Sequence, residues 1–122
     1  MRIATVILFA GDLARMRSFY VDLLGLEVEE ASEGWLALDA GGCRLALHEA
    51  PPARPDAEPA PAREDTALKV SFLVGDVEAE RARLLAAGVR MREPWAWAGL
   101  AACDGLDPEG NVFQLTSRAP LR

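Results

Sequence analysis

A chain of 122 residues, 51% apolar and 26% charged, has the composition of a soluble globular domain, with enough residues for a core and too few for two ordinary domains. Its 19 acidic and 13 basic residues give a net charge of −6, and no strand or helix gathers a block of Lys and Arg, which argues against nucleic acid and an anionic membrane as partners. One His (His48) and two Cys (Cys43 and Cys103) without CxxC spacing exclude a structural zinc site and a paired-His site.

In chain order, the first element is an apolar, β-rich run over Ile3–Phe9. Continued to Ala10, it is too short to span a membrane, and no small-residue cleavage site follows it, so a cytoplasmic, unprocessed chain is expected. The two cysteines read as free, small buried hydrophobes and fit a reducing compartment. Asp12 then caps a helix with apolar residues at Leu13, Met16, Phe19, Tyr20, Leu23 and Leu24. Those spacings of three and four make one buried stripe, and Gly25 ends it. Three strands follow: Leu26–Ala31, Trp35–Asp39 and Cys43–Glu49. Pro51–Asp65 holds five of the eight prolines and almost no large apolar residue, so it predicts a mobile linker.

Beyond the linker the pattern repeats. Leu68–Val74 is a strand, Asp76 caps a helix with Val77, Leu84 and Leu85 on one face, and Gly88 ends it. Strands over Val89–Arg92, Leu100–Cys103 and Asn111–Thr116 complete the half. The distance from cap to glycine is 13 residues in the first half and 12 in the second. The last hairpins match too: Asp39-Ala40-Gly41-Gly42 precedes CRLAL, and Asp107-Pro108-Glu109-Gly110 precedes NVFQL. The second tetrapeptide has the residues of a type I turn. Each half is thus a βαβββ module, over about 1–50 and 66–118. Such a module cannot cover both faces of its sheet, so the two are expected to pair in one domain over 1–122.

Two motifs resemble a known superfamily. Asp12-Leu13, then Phe19-Tyr20, then Leu24-Gly25-Leu26 resembles the D-L-x(5)-F-Y-x-x-x-L-G-L signature of the glyoxalase, bleomycin-resistance and extradiol dioxygenase group, also called vicinal oxygen chelate. Asp107-Pro108-Glu109-Gly110-Asn111 resembles its closing D-P-x-G-N turn. The resemblance implies an α+β fold in which two βαβββ modules form a curved eight-stranded mixed sheet around a cavity. It also implies four inward positions, on the first and last strands of each module, that hold a divalent metal in the family's enzymes.

The repeat assigns those positions. Thr5 and Lys69 each lie seven residues before a cap, and Ala46 and Gln114 each lie seven after a hairpin Asp. Ala has no donor atom, Lys repels a divalent ion, and Thr is a poor neutral ligand, so no metal cofactor is expected. The weak alternative is a divalent metal held by His48 and Gln114 with water or Glu49. His48 lies two residues beyond Ala46 on the same strand face, and it reads otherwise as a rim residue bonded to water or backbone.

Strand alternation offers a different inventory. Ala4, Val6 and Leu8, and likewise Val70, Phe72 and Val74, suit the helix side. Thr5, Ile7, Phe9, Lys69, Ser71 and Leu73 then face the cavity. Arg44, Lys69 and His48 supply cations or donors, with no carboxylate identified beside Lys69. Gln114, Thr5 and Ser71 supply neutral polar groups. Pro94-Trp95-Ala96-Trp97-Ala98 puts both indoles on one side of an extended segment, either as wall for a planar ligand or packed in a core or dimer contact. No nucleophilic triad or phosphate-binding Gly-rich loop is visible.

The first functional expectation is a metal-free, cytoplasmic, homodimeric protein of bleomycin-resistance type that sequesters a small organic, aromatic ligand. The alternatives are a glyoxalase-like metal-dependent lyase, isomerase or dioxygenase, and a ligand-free dimerisation module.

Overall fold

The structure, a computed structural model, describes residues 1–51 and 67–117. Apart from Pro51, the expected linker lies outside the described residues. The chain divides into two compact units, Met1–Pro59 and Ala60–Arg122.

The first unit has strand β1 (Thr5–Ala10), helix α1 (Leu13–Arg17), a π-helical continuation over Ser18–Leu23, and strands β2 (Glu27–Ser32), β3 (Trp35–Asp39) and β4 (Arg44–Glu49). Its sheet runs β1-β4-β3-β2, with β1 parallel to β4 and the other pairs antiparallel. Asp12 caps α1 as expected, its Oδ1 accepting from Arg15 N at 3.0 Å. The apolar stripe is also kept, with Met16, Phe19 and Tyr20 buried and α1 lying against β4.

The sequence did not announce the π turn. Leu24 N bonds to Phe19 O at 2.9 Å and Leu26 N to Tyr20 O at 3.0 Å, spans of five and six residues. Each is one residue longer than an ordinary helix terminus would make, so the widened turn carries through to Gly25 at φ +80°.

The second unit repeats the plan with β5 (Val70–Leu73), α2 (Val77–Ala86), β6 (Arg90–Met91), β7 (Trp95–Trp97), β8 (Leu100–Leu106) and β9 (Val112–Thr116). Here β5 is parallel to β9, β8 is antiparallel to β9, and both β6 and β7 pair antiparallel with β8. The architecture is α+β, two mixed sheets with one βαβββ plan in each. Among the described residues nine strands replace the expected eight because the second strand of this module is split: Arg92–Pro94 separates β6 from β7. Asp76 caps α2 through Ala79 N at 3.0 Å. Val77 and Leu84 are buried, whereas Leu85, placed by its spacing on the same face, is 41% exposed. Among the described residues no helix is long and apolar enough to cross a membrane.

Both hairpin turns form. In the second, Gly110 N donates to Asp107 O at 3.0 Å and Gly110 sits at φ +81°. An L-residue there costs roughly 1–2 kcal/mol, and a β-branched one is worse. Gly110→Val is therefore expected to lower the unfolding free energy by about 2 kcal/mol in urea titration.

Candidate functional site

In the second sheet the registers define two faces. Ser71 pairs with Gln114, Gln114 with Asp104, Leu73 with Thr116, Thr116 with Ala102, and Ala102 with Trp95. Paired residues share a face, so these side chains and Trp97 lie on one side of the sheet. On the other side lie Phe72 and Phe113, with ring centroids 6.5 Å apart, and the buried Leu115. α2 covers that second side through contacts with β6, β8 and β9. The first face is the open one: Leu73 is 53%, Trp95 47% and Trp97 69% exposed. The expected alternation of β5 is therefore observed, with Ser71 and Leu73 outward and Val70 and Phe72 half-buried. Among the described residues, the two indoles are exposed rather than packed into a core.

The polar centre of this face corrects one expectation. Lys69 is not a free cation. Its Nζ meets both carboxylate oxygens of Asp104, at 3.2 and 3.1 Å. The Gln114 amide donates from Nε2 to Asp104 Oδ1 at 3.2 Å and accepts from Ser71 Oγ on Oε1 at 2.9 Å. Asp104 is thus the residue missed by sequence reasoning. The third strand of the module was expected to stop at Cys103, and it runs to Leu106.

Trp95 and Trp97 are presented by a tight hairpin. Ala98 at φ +50° and Gly99 at φ +77° turn β7 into β8, a two-residue turn with both central residues left-handed. Asn tolerates that conformation better than Ala. Ala98→Asn is expected to raise stability by about 0.5–1 kcal/mol, read as a higher melting temperature.

In the first sheet Phe9, His48 and Trp35 are mutual register partners across β1, β4 and β3. The His48 ring lies 5.5 Å from Phe9 in a stacked arrangement and 5.5 Å from Trp35 edge-on. His48 therefore shares the face of Thr5, Ile7, Phe9 and Ala46, as expected, and is exposed between two aromatic rings. Ile7 and Phe9 are exposed and Thr5 is half-buried. Arg44 is again not a free cation. Its guanidinium lies 3.9 Å from Glu29 and 3.5 Å from Glu30, and a bulge between Val28 and Glu30 brings these neighbours within reach.

Cys103 is buried, and its thiol donates to Arg92 O at 3.1 Å. Burial pushes its pKa up against the opposing influence of Arg81, so the thiol stays protonated and inert. Cys43 is half-buried.

A family model for the glyoxalase/bleomycin resistance protein/dioxygenase superfamily matches residues 2–115. The chain belongs to this superfamily. Among solved structures, SMU.1112c is similar at 28% identity, covering 95% of this chain and 98% of its own, with a TM-score of 0.75. A glyoxalase family protein from Enterococcus faecalis is 25% identical over 93% of this chain and 95% of its own, TM-score 0.71. A lactoylglutathione lyase from Agrobacterium tumefaciens is 22% identical over 93% and 91%, TM-score 0.71, and shows the shared fold alone. No curated protein matches the chain.

The residues at the superfamily's metal positions do not suit a divalent cation. In the first module Ala46 is buried and has no donor, and Thr5 offers one neutral hydroxyl. In the second module Lys69 holds a positive charge on Asp104, and both polar ends of the Gln114 amide are engaged. Among the described residues no group of three or more His, Cys, Asp and Glu could hold a metal. His48 lies between aromatic rings rather than beside a second ligand.

Proposed function

We propose that this superfamily member binds a planar, net-neutral organic molecule on the open face of the second sheet, without a metal. The observation that carries the reading is the pairing of two exposed indoles with a self-neutralised polar network on one face. Trp95 and Trp97 are two residues apart on one strand, so their side chains leave the backbone about 6.8 Å apart. That gap holds one planar ring with van der Waals contact of about 3.5 Å on each side. Beside it, the Lys69–Asp104 pair carries no net charge. Ser71 Oγ, the second amide hydrogen of Gln114 and the remaining ammonium hydrogen of Lys69 can meet polar groups on the ligand's edge. With its charge met by Asp104, Lys69 gives no preference for an anionic ligand.

Calorimetric titration with 2-naphthamide, 2-naphthoate and 2-naphthylmethylamine tests this reading. The amide is expected to bind best. Trp97→Ala should weaken it by roughly tenfold. Asp104→Asn unmasks Lys69 and should shift preference to the naphthoate, by roughly tenfold. Equal affinity for all three probes, unmoved by either substitution, contradicts the proposal.

A further inference from the structure

On the other side of the first sheet lies a hollow of about 340 Å³, between the start of α1 and strands β2 and β3, partly open to solvent. Two small side chains are in its lining, Ala14 on the helix and Ala31 on β2. A longer residue at either position would close it. Leu13 and Leu36 form apolar wall, and Trp35 borders the space. Arg17 stands at its edge, and no carboxylate among the described residues pairs with it. Lys69 and Arg44, by contrast, are each neutralised within their own sheet.

We infer that the hollow is a second ligand site, for a small aryl or branched-alkyl monocarboxylate. The volume is at the small end of ligand cavities, roughly 300–1,000 Å³. Its mostly apolar lining takes the body of such a molecule. The planar guanidinium of Arg17 matches a carboxylate in a bidentate pair. A phosphate would need more than this one cation. The site lies on the helix side of the first sheet and is independent of the face proposed above.

The test uses the Trp95→Phe/Trp97→Phe variant, which weakens the face proposed above, titrated with phenylacetate and with phenylacetamide. Phenylacetate is expected to bind saturably in calorimetric titration, with the amide at least roughly tenfold weaker. Arg17→Gln should weaken phenylacetate to the same extent. Ala31→Leu should fill the hollow and remove binding while the melting temperature holds or rises. If Ala31→Leu lowers the melting temperature, Ala14→Leu fills the same space from the helix. No saturable response, equal response to acid and amide, unchanged affinity in Arg17→Gln, or binding retained in a stable filled variant overturns the inference.

Discussion

Asp107→Ala is expected to lower the unfolding free energy by about 3 kcal/mol. The carboxylate is 2% exposed. Its Oδ1 accepts from Glu109 N at 2.9 Å and from Asn111 N at 3.0 Å, and its Oδ2 accepts from Asn111 Nδ2 at 2.8 Å. Alanine strands three donors at once. Each buried unmet donor costs roughly 1–3 kcal/mol, reduced here because Glu109 and Asn111 are only half-buried and water recovers part of the loss. Asp107→Asn keeps an acceptor for the backbone donors and should cost about 1 kcal/mol. The turn sets the β8–β9 register, and the Asp104–Gln114 pair lies two rungs from its last pair, Leu106–Val112. Loss of the turn should therefore loosen the proposed site as well as the fold. Urea denaturation of both variants checks the order; an alanine variant as stable as the asparagine one contradicts it.

Gly105→Val should cost about 2–3 kcal/mol for a different reason. Gly105 is the penultimate residue of β8, where a Cβ would stand 2.7 Å from Phe113 Cζ and closer still to Met91 Sδ. The methionine can swing aside. Phe113 cannot, because it is 1% exposed and packed against Phe72. The strand must then move away from the helix-side core. Gly105 is next to Asp104, so the same shift pulls the carboxylate from Lys69. Calorimetric melting should show a clear fall in midpoint, with Gly105→Ala intermediate. A neutral valine variant would mean that the Phe113 ring has room it does not show.

Local signals carried most of the fold. The two Asp caps, the stripe at Met16, Phe19 and Tyr20, and the Asp107–Gly110 turn each rest on chemistry within a few residues, and each is found where its residues stand. The split of β6 from β7 was less visible, because Trp95-Ala96-Trp97 alternates like a strand but is too short to declare a partner. The π turn has no residue signature of its own. The site was legible in its residue types and not in its pairings. Lys69, Ser71 and Gln114 share one connected network, which alternation and the repeat suggested. Asp104 was lost because Asp-Gly reads as a turn, whereas pairing with β9 extends the strand through it. Arg44 finds Glu29 and Glu30 only through a bulge in β2. Contacts between strands distant in sequence decide charge, and a single sequence does not display them.

The most direct test of the central claim uses the three indoles as reporters. In protein labelled with nitrogen-15 at tryptophan, Trp35, Trp95 and Trp97 give three indole N–H signals, assigned by single Trp→Phe substitutions. Titration with 2-naphthamide should shift the Trp95 and Trp97 signals together and saturably, while Trp35 stays in place. Unmoved Trp95 and Trp97 signals, or a shift confined to Trp35, would contradict binding on the open face of the second sheet.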